Sequence, residues 1–463
     1  MAVFNIIKLS ELEGAKRLDA EYYKPEYLKI KQKLLQTEFV YFKDLVKEII
    51  HPKEIKREYE EEKQDYLFLL AQNVRPLMLD LSEKKFISEE IAKLMPKNLL
   101  EKGDILFIRT GAVGDSTVYT GEPPKVIASA HILIAKPNFR VSPYYLAVFF
   151  NTSFGKNLII RGTYGALQPE IAPNYIKNLP VPIFSRDLII KIEKLFLKSQ
   201  DLLQESQNLY SQAESFLLEK LGFKDFKPKY EKTYITKLSD ALSAHRIDAE
   251  YFQPAYEEIV RKLENITELK PLGKLANRVK LKINPEDNKL YRYIEISDVL
   301  IDIGEVNYTE RLGKDLPPNA RIPVKGGELI ISKVRPTRGA IGIIPYCLGV
   351  NLICSSAFSV FNVDSPLKEY LYVIIRSIIG KLQLEKPTKG TSYPTIEDLD
   401  VEKLQIPLLP LSIQQKIASL VQQSYEARRK AKELLEIAKR AVEIAIEESE
   451  EKAQEYIQKK VKS

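Results

Sequence analysis

Tryptophan is absent from the 463 residues, cysteine occurs twice and histidine three times. Two cysteines, Cys347 and Cys354, cannot build a disulfide framework and bring no histidine or cysteine neighbours at metal-ligand spacing. Both are expected to be buried hydrophobes. The histidines, at 51, 131 and 245, are far apart, with none in a His-Glu-x-x-His arrangement, so no metal site is expected. No run of about 18 apolar residues occurs, the longest such stretch being Tyr144 to Phe150, which excludes a membrane-spanning helix. The opening MAVFNIIKLSELEGAKR lacks the basic-then-apolar layout of a secretory signal. A cytoplasmic location is therefore expected, with no membrane partner.

Catalytic signatures are missing too. Gly155-Lys156 is followed by Asn157 and has no upstream glycine, so there is no phosphate-binding loop and ATP hydrolysis by this chain is not expected. No Asn/Asp-Pro-Pro-aromatic tetrapeptide of amino-methyltransferases occurs. Glu-x-Lys spacings such as Glu61-Glu62-Lys63 arise by chance where 29% of residues are charged. The net charge of +7 is spread thinly along the chain, so a nucleic-acid partner would have to be held by local patches.

What is present is a long tandem duplication. KLSELEGAKRLDAEYYKPEY at 8–27 recurs as KLSDALSAHRIDAEYFQPAY at 237–256, ungapped at an offset of 229. KGDILFI at 102–108 answers GGELIIS at 326–332, each a turn glycine and an acidic residue leading into an apolar strand. A third block, RGTYGALQPEIAPNYIKNLPVPI from Arg161, answers KGTSYPTIEDLDVEKLQIPLL from Lys389.

Each repeat closes in a helical pattern. Ile192, Leu195, Ser199, Leu202, Ser206, Leu209, Ala213 and Phe216 follow 3,4 spacing up to Gly222, a helix-capping glycine. Ile413, Ile417, Leu420, Ser424, Ala427, Ala431, Leu434, Ala438, Ala441 and Ala445 form a second such seam. The small residues suit close helix approach. The first helix spans roughly 54 Å at 1.5 Å per residue, and only GFKDFKPKYEKTY leads from its end into the second repeat. An antiparallel coiled coil with one globular domain at each end is the economical arrangement. The expected organisation is an α+β fold with two globular domains, 1–184 and 237–410, a central helix 185–221, a linker 222–236 and a C-terminal helix 411–463. Strands are predicted at 104–108, 132–134, 329–331 and 357–361, and helices at 144–150 and 370–379.

Two basic loops stand out. Lys270 to Arg292 holds seven basic residues against Glu286 and Asp287, with Lys280 and Lys282 at its centre. Arg321 to Arg338 holds five against Glu328, including Lys333, Arg335, Thr337 and Arg338 in the turn after a strand. Phosphates need such patches, and planar forks such as Arg read base edges. The corresponding turn of the first repeat begins Arg109-Thr110-Gly111, and Tyr164 and Gln168 are candidate polar contacts in the following loop. These ten residues are the candidate DNA-binding set.

Taken together, the chain resembles the specificity subunit of type I restriction-modification systems. The resemblance is carried by Arg17-Leu18-Asp19-Ala20-Glu21-Tyr22-Tyr23 and its copy from Arg246, by Gly103-Asp104-Ile105-Leu106, by the Gly-Thr loops at 162 and 390, and by Ile406-Pro407-Leu408-Leu409-Pro410 with Gln414-Gln415-Lys416-Ile417-Ala418. The first copy departs at the helix start, where Arg186-Asp187-Leu188-Ile189-Ile190 replaces Leu411-Ser412-Ile413-Gln414-Gln415. The resemblance implies that each globular half reads one half of a bipartite, asymmetric site on double-stranded DNA. It implies that the helices set the spacer and dock two modification subunits, and that restriction subunits join the assembly. S-adenosylmethionine, ATP and Mg are then expected only on those partners, with no cofactor and no catalysis on this chain. The rival readings are a coiled-coil scaffold, which leaves the unlike turn loops unexplained, and a stand-alone methyltransferase or nuclease, which lacks a cofactor or metal motif.

Overall fold

A computed structural model describes residues 6–9, 12, 17–56, 65–81, 83–165 and 167–462. The Glu61-Glu62-Lys63 run lies outside them. The chain divides into two compact units, residues 1–203 with 428–463, and residues 204–427, so each boundary falls inside a long helix.

In the first unit the strand Ile105–Ile108 is central. Successive strand side chains point to opposite faces, and here both faces are covered: Ile105 and Phe107 enter one core with the helices, Leu106 and Ile108 a second core. All four are buried, so no polar alternation marks the strand. It belongs to an antiparallel sheet ordered Val46–Ile50, Ile132–Pro137, Ile105–Ile108, Ser116–Val118. A three-stranded sheet, in which Tyr66–Leu69 runs parallel to Val126–Ala128, forms the far side of the second core.

The second unit repeats this plan. Leu329–Ser332 lies between Phe358–Asn362 and Ile341–Ile343, with Leu329 and Ile331 facing the helical core and Ile330 the other. In the second sheet of this unit Leu290–Ile294 runs parallel to Leu352–Ser355. Buried helices, Pro143–Phe150 and Leu367–Arg376, back the central strands. Their tyrosines bond equivalent strands, Tyr145 Oη donating to the Pro182 carbonyl at 2.7 Å and Tyr370 Oη to that of Pro407 at 2.6 Å. Ser377 caps a new helix, Ile378–Glu385, so the pattern predicted over 370–379 is split in two.

The first long helix runs Arg186–Lys220. Despite the departed start, the Ser185 backbone N–H donates to the Glu450 carboxylate at 3.0 Å. At the far end Gly222 adopts φ 64° and the Phe223 N–H reaches back to the Leu218 carbonyl, a left-handed cap that glycine takes without steric cost. The second long helix runs Leu411–Glu447. It is followed by a separate helix, Glu450–Lys462, where Ser449 Oγ accepts from the Lys452 N–H. The C-terminal stretch read as one helix is therefore two, because a capping serine interrupts the ladder.

Within the second unit the helix segments pair antiparallel. Ser206 and Ser424 hydroxyls lie 2.9 Å apart, while ten residues further along the first helix Phe216 meets Lys416, eight residues back along the second, at 4.2 Å. Ser424 Oγ also donates to the Ser206 carbonyl at 2.7 Å, and both serines are buried. The small seam residues permit this approach. Ser424→Leu is expected to overpack the seam and cost about 1–3 kcal/mol, and Ser424→Ala about 1 kcal/mol, measured by urea unfolding of the full chain.

A further expectation fails. Cys354 is buried but Cys347 is exposed, in the turn Tyr346–Leu348 that follows Pro345.

Candidate nucleic-acid interface

The two turns that follow the central strands have the same backbone wiring. In the first unit the Arg109 N–H donates to the His131 carbonyl at 2.8 Å, the Arg109 carbonyl accepts from Ile171 at 3.0 Å, and the Gly111 N–H donates to Pro169 at 3.1 Å. In the second unit Lys333 donates to Ala357 at 2.8 Å and accepts from Ile396 at 2.9 Å, and Arg335 donates to Pro394 at 2.7 Å. Lys333 is thus the counterpart of Arg109, and Arg335 that of Gly111. Both members of the latter pair are left-handed, φ 95° at Gly111 and φ 47° at Arg335.

A hairpin-like loop abuts each turn. Tyr164 bridges Glu170, which also bridges Thr110; Lys389 bridges Thr395, which also bridges Val334. This register sets Gly162-Thr163 against Pro387-Thr388, correcting by three residues the sequence alignment on Gly390-Thr391. The shared Gly-Thr letters had outweighed the backbone bonds, which depend on distant partners.

Side chains on this common frame differ. Arg109 Nη2 donates to Glu170 Oε2 at 2.7 Å, and Tyr164 Oη meets the same oxygen at 3.3 Å. Arg109 is 20% exposed. Burial, aided by the positive Arg109, holds the His51 imidazole below its ordinary range. Thr110 is buried, its hydroxyl without a hydrogen-bond partner among the described residues. Gln168 is exposed on the loop between Tyr164 and Glu170. Arg109, Thr110 and Tyr164 therefore converge on Glu170, a residue the sequence reading did not single out.

In the second unit Arg335 lies 4.3 Å above the exposed Tyr393 ring and donates through Nη2 to the Ser392 carbonyl at 3.1 Å. Thr337 and Arg338 sit in the short turn Pro336–Arg338, with Arg338 exposed. Lys333 pairs with Asp398 at 2.9 Å, and Arg278 reaches the same carboxylate at 3.1 Å. Burial pushes the Asp398 carboxyl up, but hydrogen bonds from Ser359 and Lys333 and the Arg278 charge outweigh it and hold it below the ordinary range. Lys280 and Lys282 are exposed on a separate extended segment and have no ion-pair partner among the described residues. The other cations of that basic run are largely engaged: Arg278 also binds Glu402, and Arg292 binds Glu310 and the Leu348 carbonyl. Tyr393 and Asp398 were missed because their roles come from the fold and not from any local motif.

Among the described residues no group of three acidic, histidine or cysteine side chains could hold a metal ion, and no helix is long and apolar enough to cross a membrane.

Residues 260–438 match the family described as type I restriction modification DNA specificity domain. The second repeat carries a type I restriction-modification DNA specificity domain. The matched residues cover the second repeat, and the shared turn wiring extends the same domain plan to the first. Among solved structures, the chain is similar to the S subunit of a type I restriction-modification system from M. genitalium, with 12% identity over 87% of this chain and 94% of that one, at a TM-score of 0.39. It is also similar to the HsdS subunit from Thermoanaerobacter tengcongensis, with 15% identity over 89% and 97% of the two chains, at 0.28. No curated protein matches significantly.

Proposed function

We propose that each unit of this specificity subunit reads one half of a bipartite, asymmetric DNA site. The first would do so around Arg109 and Tyr164, the second around Arg335, Arg338 and Lys333. Identical wiring that presents unlike side chains carries the reading: arginine and glycine in one turn stand where lysine and arginine stand in the other. Two equivalent frames with different donors suit two unlike half-sites, since donor geometry selects the base. Gln168, Thr110, Thr337, Lys280 and Lys282 would contribute flanking contacts, mainly to phosphates. The long helices would fix the spacer and dock two modification subunits, with restriction subunits joining that assembly. S-adenosylmethionine, ATP and Mg would reside on those partners.

Mapping methylated adenines in DNA from cells expressing this chain with its modification subunit tests the reading. Two unlike specified blocks at a fixed gap are expected; a single block or a palindrome would overturn it. Glu170 tempers this interface by neutralising Arg109. Glu170→Gln should therefore raise non-specific affinity and steepen the plot of log K against log salt by about 0.9, one counterion's worth, in a filter-binding titration of the full complex.

A further inference from the structure

The strongest duplicated motif, Arg-x-Asp-Ala-Glu-Tyr, lies outside the turns discussed so far. Its arginine and aspartate form a two-pronged pair in both units. Arg17 Nε and Nη2 donate to the two Asp19 carboxylate oxygens at 2.8 and 2.7 Å, and Arg246 does the same to Asp248 at 2.8 and 2.6 Å. That grip orients the guanidinium, and its remaining hydrogens go to one loop. Arg17 donates to the carbonyls of Gly162 at 3.1 Å and Thr163 at 2.7 Å; Arg246 donates to those of Pro387 at 3.0 Å and Thr388 at 2.9 Å. Each guanidinium also lies over the motif tyrosine, 4.7 Å from Tyr22 and 4.5 Å from Tyr251.

The next residue along each loop is Tyr164 or Lys389, which starts the bridge against the reading turn. In the first unit the bridge partner Glu170 holds Arg109; in the second, the loop closed by that bridge carries Tyr393 and Ser392, the seat of Arg335. The arginines are 20% and 17% exposed and form their ion pairs at the surface, where such pairs add little to stability. Repetition of so detailed a contact at so low a stability return points to positioning.

We infer that Arg17–Asp19 and Arg246–Asp248 are positioning latches, each anchoring the loop that braces the reading turn of its own unit. The effect on DNA selection rests on the two-half-site reading; the anchoring does not. Lysine keeps the charge but cannot span a carboxylate and two carbonyls at once, so charge and fork are separable.

The test uses the full complex with modification subunits, in wild-type form and as Arg17→Ala, Arg246→Ala and Arg246→Lys. Hydrogen–deuterium exchange reads the loops directly, because the amides of Thr163, Tyr164, Thr388 and Lys389 are bonded. Arg246→Ala should speed exchange at 388–389 roughly tenfold, leaving 163–164 unchanged, and Arg17→Ala the reverse. Selection from a randomised duplex library should show Arg246→Ala and Arg246→Lys relaxing one half-site alone, and Arg17→Ala the other. Unchanged loop exchange, loss of both half-sites together, or full selectivity in Arg246→Lys would overturn the latch. Unit-by-unit loop loosening in a complex whose wild-type form selects no two-part site would uphold the anchoring and refute the half-site reading instead.

Discussion

Replacing Arg376 with methionine is expected to cost the second unit about 3–5 kcal/mol, the range for disrupting a buried charged network. Arg376 is 7% exposed. Its Nε donates to Tyr210 Oη at 3.0 Å, Nη1 to the carbonyls of Gly339 and Ile341 at 3.1 and 3.0 Å, and Nη2 to those of Ile301 and Asp302 at 2.8 and 2.7 Å. The guanidinium also packs on the rings of Tyr210 and Tyr372. Methionine matches the volume but offers no donor, so five acceptors lose a charged partner. Relief of the buried charge returns part of that cost, and the deficit remains. The corresponding residue of the first unit is Asn151, whose Nδ2 donates, among the described residues, only to Ser116 and Ala147. Asn151→Ala should cost about 1–2 kcal/mol. Urea unfolding of both variants, followed by circular dichroism, checks the difference. Because Gly339 ends the turn that carries Arg335 and Arg338, Arg376→Met should also blunt selectivity for the second half-site.

Arg335→Gly should separate recognition from stability. A left-handed non-glycine residue costs about 1–2 kcal/mol, and glycine occupies this place in the first repeat. Loss of the stacking on Tyr393 offsets about 0.5–1 kcal/mol of that and loss of the hydrogen bond to Ser392 about 0.5–1.5 kcal/mol more, so unfolding should shift by no more than about 1.5 kcal/mol in either direction. Binding should suffer more. A base-reading contact contributes about 1–3 kcal/mol, so affinity for the cognate half-site should fall roughly five- to 150-fold, with the other half-site preference intact. Equal stability with unchanged selectivity in a competition assay would assign the loop no reading role.

The duplication, the buried strands Ile105–Ile108 and Leu329–Ser332 and both helical seams were legible because each is written in local spacing. Ser206 and Ser424 stood in the seam pattern, and their contact follows from it. The parallel pairings of Tyr66–Leu69 with Val126–Ala128 and of Leu290–Ile294 with Leu352–Ser355 were not legible, since residues that pair across such distances carry no mutual local signal. The same holds for the site. Arg109, Lys333 and Arg335 stood out by charge and position, whereas Glu170, Asp398 and Tyr393 acquire roles only when a loop some 60 residues away folds against the turn. Glycine and threonine letters misled the alignment of that loop by three residues, because Arg17 and Arg246 bind carbonyls, which any residue can supply.

The most direct test is library selection by the wild-type complex on duplexes randomised over a long window. Two unlike specified blocks separated by an unspecified gap of constant length are predicted, with Arg335→Gly altering one block only. A palindromic motif, a single continuous block, or changes in both blocks from that one substitution would contradict two independent readers on one chain.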